Sequence, residues 1–105
     1  MGLAFAIISK VIKMEKDLKY YRKELDIIDL EMQELFKKRM QIVEEIATYK
    51  AQNNLSTYDK TRENTQLENI TQNKDKIVSS YYPEVFKSIL KVSKDYQKDL
   101  TNILK

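Results

Sequence analysis

The chain contains a single glycine, Gly2, and a single proline, Pro83, among its 105 residues. A fold with many strands needs tight turns, and glycine and proline supply much of the backbone geometry of such turns. Hydrophobic residues make up 42% of the chain and charged residues 33%, a balance typical of a folded helical domain and not of a disordered chain. The sequence therefore predicts an all-α protein.

Apolar residues recur at steps of three and four from Leu18 onward, which is the spacing of one helix face. We call this face the seam, and two cations, Arg39 and Lys50, interrupt it. A cation on a core-facing line is costly unless an anion lies against it. The identity of that anion therefore bears directly on function. The seam consists of Leu18, Tyr21, Leu25, Ile28, Met32, Leu35, Arg39, Ile42, Ile46 and Lys50.

The seam predicts a first helix from about residue 10 to Gln52, with Asn53 and Asn54 as helix-stopping residues. At about 1.5 Å per residue, such a helix is roughly 60 Å long. A compact domain of this size has a radius of gyration of only about 13 Å. One chain cannot bury the seam, so we expect a partner, most simply a second copy of the chain.

Residues 1–17 are predicted to be an N-terminal extension of the first helix, and residues 18–105 to form the functional domain. The apolar segment 1–8 is far shorter than the roughly 20 residues that span a membrane. A degenerate export signal is the alternative for this segment. We expect no membrane partner and a cytoplasmic location.

A second helix is predicted from about Lys60 to Asn73, with Asp59 as its N-cap. Its apolar face is thin, with Leu67 and Ile70, and Glu63 falls on the same face one turn earlier. A first-turn glutamate is also favoured by the helix dipole, which is the simpler explanation for its position.

The polar stretch from Asn73 to Ser80 is predicted to be a loop, followed by a third helix with Pro83 in its first turn. The apolar stripe of this helix contains two polar residues one turn apart, Ser93 and Gln97. Its apolar members are Phe86, Ile89, Tyr96, Leu100 and Leu104.

Polar side chains thus lie on the apolar face of every predicted helix. Taken singly, each can be explained by helix register or by a long side chain that reaches water. Taken together they predict a ligand site. Arg39 and Lys50 are eleven residues apart, roughly 16 Å along the axis, and point the same way. Their side chains could converge on a small metabolite with carboxylates or phosphates, beside Glu63, Ser93 and Gln97.

The chain contains neither cysteine nor histidine. Disulfides and thiol chemistry are excluded, as are the commonest metal ligand and the commonest general base. We expect no metal and no cofactor. The formal charge of +3 is spread along the sequence, so no basic face indicates a nucleic-acid partner.

Three segments resemble the all-helical chorismate mutases of the AroQ class. Residues 21–46 (YRKELDIIDLEMQELFKKRMQIVEEI) resemble the first helix of that family, residues 58–63 (YDKTRE) the start of its second helix, and residues 89–97 (ILKVSKDYQ) its third. The resemblance covers about residues 18–100. It implies three helices per chain, with a very long first helix, in an intertwined homodimer.

The resemblance implies that chorismate rearranges to prephenate in a pericyclic step that needs no nucleophile, metal or proton transfer. It implies that Arg39 binds a substrate carboxylate, while Lys50 and Gln97 donate to the ether oxygen. Glu63 would accept from the ring hydroxyl, and Ser93 would contact the ring carboxylate.

Three further roles follow from the same resemblance. Asp59 would assist Glu63 through its backbone, and Arg62 would support the carboxylate end of the substrate. Arg22 would bind the second carboxylate in the site of the other protomer. On its own chain, Arg22 lies roughly 25 Å along the helix from Arg39 and cannot share a small-molecule site with it.

Two alternatives remain open. An isochorismate pyruvate lyase shares this fold and much of this pocket, and Glu63 favours the mutase over it. A non-catalytic helical dimerisation module explains the seam without explaining its polar residues. Docking to another shikimate-pathway enzyme is a further possibility that the sequence leaves open.

Overall fold

The computed structural model describes residues 2–4, 6–7, 16–56 and 58–104. Three long helices account for most of them: α1, Leu18–Gln52; α2, Lys60–Thr71; and α3, Lys76–Leu104. Residues 2–4 and 6–7 are helical too, and the predicted count of three helices stays a prediction. No strand occurs in the described residues, so the all-α class is confirmed. No helix in this part of the chain is long and apolar enough to cross a membrane.

Helix α1 begins later than predicted. Lys16 and Asp17 are not helical, and the Asp17 carboxylate accepts the backbone N–H of Tyr20 at 2.9 Å. An aspartate that accepts a first-turn N–H is a favourable N-cap, and it fixes the helix start at Leu18. The prediction that the first helix starts near residue 10 is therefore wrong. Residues 8–15 lie outside the described residues, and the role assigned to residues 1–17 stays a prediction.

Helix α1 ends at Gln52 as predicted. Asn54 adopts a positive φ of 54°, a conformation that asparagine tolerates better than most residues. The N–H of Leu55 donates to the Lys50 carbonyl at 2.8 Å, and the N–H of Asn54 donates to the Ala51 carbonyl at 3.4 Å. This pair of bonds is a Schellman motif, and it turns the chain sharply after the last helical residue.

Helix α3 begins at Lys76, so the predicted loop Asn73–Ser80 is wrong for most of its length. The Asp75 carboxylate accepts the N–H groups of Ile77 at 2.9 Å and Val78 at 3.2 Å. This cap starts the helix well before Pro83, which lies inside α3 and not in its first turn. The proline has no N–H to donate to the Ser79 carbonyl, and the helix continues past that missing bond.

The chain divides into two compact units, Met1–Lys37 and Lys38–Lys105. The core of the second unit is small and consists of Val43, Phe86 and Leu90, which are 8–9% exposed. Helix α2 packs against α3 in this unit. The side chains of Ile42 and Ile46 remain 53% and 41% exposed. The buried face of this part of α1 is therefore the one that carries Val43, and the seam lies beside it.

The first unit contains the N-terminal part of α1, where the seam is exposed throughout. The exposed fractions are 56% for Leu25, 49% for Ile28, 57% for Met32 and 65% for Leu35. Single exposed apolar residues are common, whereas a continuous exposed row along a helix is typical of an interaction surface.

A side-chain hydrogen bond connects α1 to α3 within the second unit. The hydroxyl of Tyr96 donates to the Glu44 carboxylate at 3.0 Å. This bond raises the pKa of Tyr96 above its ordinary value of 10.0, and burial and the Glu44 charge act in the same direction. The folded state therefore holds the phenolic proton more tightly than the unfolded chain does.

We expect Tyr96→Phe to remove an alkaline component of stability. In the wild type the unfolded chain loses the Tyr96 proton first, so stability falls as the pH rises from about 10 through the raised pKa. The stability difference between wild type and Tyr96→Phe should be constant at neutral pH and shrink above pH 10. Urea unfolding at several pH values measures this, with Tyr81→Phe, an exposed tyrosine on α3, as control. A difference that stays constant up to pH 11 would contradict the expectation.

Candidate active site

A cavity of about 390 Å³ lies within the unit Lys38–Lys105. Its volume is in the range of sites for small metabolites. All three long helices contribute to it, and the contributing side chains are both apolar and charged. The lining residues are Arg39, Ile42, Val43, Ile46, Lys50, Asp59, Arg62, Glu63, Gln66, Leu90, Ser93, Lys94 and Gln97.

Arg39 is half-buried on α1 and reaches the side of α3 that faces the cavity. Its Nη1 donates to the Ser93 Oγ at 2.6 Å, and its guanidinium carbon lies 5.8 Å from the centre of the Phe86 ring. A hydroxyl and an aromatic ring orient a guanidinium without neutralising it. None of the ion pairs within the described residues includes Arg39.

Ser93 is the buried polar residue of the core, at 7% exposed. Its Oγ lies 2.8 Å from the carbonyl of Ile89, one turn earlier in α3, and donates to it. A hydroxyl has only one proton, so towards Arg39 the serine acts as an acceptor. Ser93 thus holds Arg39 in place. Its predicted contact with a substrate carboxylate stays a prediction.

Lys50 and Gln97 are both half-buried and line the same cavity. Lys50 lies in the last turn of α1, where the Schellman motif at Asn54 fixes the end of the helix. Gln97 follows Ser93 by one turn of α3, so both side chains lie on the same face of that helix. Two side chains able to donate hydrogen bonds, one charged and one neutral, therefore share the cavity.

The start of α2 supplies three lining residues. Asp59 is the N-cap, as predicted, and its carboxylate accepts the backbone N–H of Arg62 at 3.0 Å. The backbone N–H of Glu63 donates to the Asp59 carbonyl at 3.2 Å. These two bonds fix the first turn of α2, and that turn places Arg62 and Glu63 at the cavity.

Lys94 and Gln66 line the cavity as well, and the sequence reasoning missed both. Lys94 forms an ion pair with Glu63, with Nζ 2.9 Å from Oε1. Lys94 lies outside the apolar stripe of α3, so no periodic signal marks it. A lysine at such a position usually points into water. Gln66 lies three residues after Glu63 on α2, and that spacing was a signal that could have found it.

The structure brings most of the predicted site residues together at this cavity. Arg22 is not among the lining residues. It lies in the unit Met1–Lys37, where it is exposed. The predicted residues that line the cavity are Arg39, Lys50, Asp59, Arg62, Glu63, Ser93 and Gln97.

The cavity lining carries an excess of positive charge. Four of its side chains are cationic (Arg39, Lys50, Arg62 and Lys94) and two are acidic (Asp59 and Glu63). In the described part of the chain, no group of three or more acidic side chains is placed to hold a metal ion. The arrangement suits the binding of an organic dianion, whose charge the excess cations would balance.

The fold and the cavity define an all-α protein with a positively charged cavity whose volume lies in the range of small-metabolite sites. The family model for chorismate mutase type II matches residues 21–98, which is most of the chain, and the protein belongs to that family. The resemblance drawn from the sequence is thereby confirmed. A search of curated proteins gives no match to this chain.

Proposed function

We propose that this protein is a chorismate mutase, an isomerase that rearranges chorismate to prephenate. The half-buried guanidinium of Arg39 is the observation that carries the proposal, because it lines the cavity without a carboxylate partner among the described residues. Chorismate has two carboxylates, and the cavity lining has two more cations than acids. The family membership supports the same substrate.

The reaction requires positioning and charge stabilisation. In the rearrangement the ether C–O bond breaks while a C–C bond forms between the enolpyruvyl group and the ring. The substrate must be held in a chair-like conformation in which the reacting carbons meet. A preorganised site lowers the barrier because much of the entropy loss of this arrangement occurs on binding. Negative charge grows on the ether oxygen, where fixed hydrogen-bond donors lower the barrier.

Arg39 is proposed to bind a substrate carboxylate in bidentate fashion. One of its nitrogens donates to Ser93, and a guanidinium has five N–H donors, so enough remain for a carboxylate. Because Ser93 and the Phe86 ring already orient the guanidinium, little ordering remains to be done when the ligand binds.

Lys50 and Gln97 are proposed to donate to the ether oxygen. Both line the cavity, one from the end of α1 and the other from α3. A charged and a neutral donor aimed at one oxygen resemble an oxyanion hole, whose individual donors are worth about 10²–10³ in rate. A glutamine side chain donates at any pH near neutrality, because its amide does not titrate.

Glu63 is proposed to accept a hydrogen bond from the ring hydroxyl of chorismate, next to the Asp59 backbone. Arg62 is proposed to support the carboxylate end. A carboxylate that accepts this bond discriminates strongly against a ligand without the hydroxyl. The presence of Glu63 in the cavity favours the mutase over isochorismate pyruvate lyase.

We further propose an intertwined homodimer in which Arg22 of a partner subunit completes each site. The exposed seam of α1 supports this arrangement, because its apolar side chains from Leu25 to Ile46 are 41–65% exposed in the single chain. A second copy would bury both seams at once, since the two seams of a twofold dimer are the same surface.

Purified protein should consume chorismate and form prephenate, and Arg39→Ala should lower kcat/KM by about 10²–10³-fold because a desolvated charge-assisted contact is lost. Chorismate absorbance and chromatographic identification of the product measure this. Lys38→Ala is the control, because Lys38 is the exposed neighbour of Arg39 and does not line the cavity.

Two results would contradict this assignment. A protein that leaves chorismate intact but splits isochorismate into pyruvate and salicylate is a lyase. A protein that acts on neither substrate, and in which Arg39→Ala only increases stability, is a dimerisation module.

The pH dependence of the mutase should reflect the amide of Gln97. We expect the wild-type rate to stay nearly constant between about pH 6 and pH 8, whereas Gln97→Glu should be active only in acid. A glutamate donates only when protonated, so the variant should lose about tenfold in rate per pH unit above its pKa. Steady-state rates of both proteins measure the effect. A wild-type rate that collapses between pH 6 and pH 8 would count against the role of Gln97.

Mixed dimers should show that Arg22 acts in the site of its neighbour. Arg22→Ala and Arg39→Ala should each be nearly inactive, and equal amounts refolded together should recover about a quarter of wild-type activity. Half of the dimers are then mixed, and each mixed dimer has one intact site. Mixing Arg39→Ala with Lys50→Ala is the control. Both of these residues line the cavity of one chain, so no intact site forms. Recovery in the control, or none in the test, would refute the shared site.

A further inference from the structure

An ammonium group spans the carboxylate of Glu63, and both residues line the cavity. The Nζ of Lys94 lies 2.9 Å from Oε1 and 3.0 Å from Oε2. It therefore faces the carboxylate symmetrically. The Glu63 side chain is 15% exposed and the Lys94 side chain 43% exposed, so the pair is partly shielded from water and its acid is the more deeply placed member.

This ion pair differs from two others of the same protein. Lys87–Glu84 and Lys91–Asp95 are exposed pairs within a single stretch of α3, and pairs of that kind contribute little. Lys94–Glu63 joins α3 to the first turn of α2. Both of its members line the cavity.

Lys94 makes a second contact with a residue next to the start of α2. Its ammonium lies 4.8 Å from the centre of the Tyr58 ring, within the range of a cation–π interaction. Tyr58 immediately precedes the α2 N-cap, Asp59. One lysine on α3 therefore holds both the residue before the cap and the acid in the first turn after it.

The geometry leaves Glu63 able to accept a further hydrogen bond. A carboxylate offers about four acceptor positions on its two oxygens. An ammonium between the oxygens occupies one edge of the group, so each oxygen keeps an outer acceptor position. The lysine therefore restricts the orientation of the carboxylate without using its full accepting capacity.

We propose that Lys94 is a positioning residue for the Glu63 carboxylate and acts on the reaction through Glu63, not by contacting the substrate. The inference rests on the proposed mutase function, in which Glu63 accepts the ring hydroxyl of chorismate. It adds a determinant of specificity, because the fixed carboxylate selects a ligand with a hydroxyl at that place.

A double-mutant cycle with chorismate tests the inference. The variants are Lys94→Met, Glu63→Gln and the double variant. Lys91→Met is the matched control, since it removes a lysine of α3 that is paired outside the cavity lining. Lys94→Met should lower kcat/KM about tenfold, because a loosely held acceptor loses part of its orientation. The double variant should be no more than about twofold below Glu63→Gln, because coupled residues are not additive.

Lys94→Arg and urea unfolding separate positioning from a purely structural role. Arginine keeps the charge and the donors, so Lys94→Arg should retain most of the wild-type kcat/KM. All variants should unfold close to the wild-type midpoint, because a partly exposed ion pair contributes little to global stability. A Lys94→Met protein that has lost its folded structure would show a structural role and overturn the inference.

Three kinetic outcomes overturn the inference in distinguishable ways. If Lys94→Met matches Lys91→Met while the wild type is active, Lys94 has no role and the mutase function stands. If the loss on Lys94→Met persists undiminished in the Glu63→Gln background, Lys94 contacts the substrate directly. A wild-type protein that does not convert chorismate refutes the proposed function and this inference with it.

Discussion

A half-buried guanidinium is the constraint on which the arrangement of the unit Lys38–Lys105 depends. Transfer of a charge out of water is costly, and Arg39 is only partly compensated by the Ser93 hydroxyl and the Phe86 ring. Those two contacts come from α3, where Phe86 is itself a core residue and Ser93 is also buried. The packing that buries the core therefore also orients the Arg39 guanidinium. A bound anion would supply the remaining charge compensation.

The local signals at helix ends predicted two boundaries, whereas the starts of α1 and α3 were missed although aspartate caps fix both. Asp59 at the start of α2 and Asn54 after the end of α1 behave as their residue types predict. The start of α3 was not found, because Pro83 is a strong first-turn signal and the Asp75 cap is a competing one. Asp75 accepts two backbone N–H groups, and these bonds stabilise a start of α3 before Pro83. The proline then costs the helix one backbone hydrogen bond.

Periodicity located most of the polar side chains that line the cavity, but it missed Lys94 and Gln66 and the core residue Val43. Ser93 and Gln97 follow from one-turn spacing, and Arg39 and Lys50 from their place in the seam. The burial of Val43 was not predicted. Val43 lies on a face of α1 beside the seam, and only the seam is continuous along the whole helix. Lys94 was missed because its partner lies 31 residues away in sequence, and the reach of a flexible side chain across two helices leaves no periodic trace.

The charge of the cavity lining also has a consequence for the rate of ligand capture. The chain has a formal net charge of +3, and the lining has four cations against two acids, so most of the excess charge is concentrated around one concave surface. Low-dielectric walls focus the field of such a surface outward and accelerate the diffusional encounter with anions. This electrostatic steering weakens as salt shortens the screening length. In the proposed function, the unequal distribution of charge among the lining residues would thus set how quickly the anionic substrate arrives, separately from how well it is held.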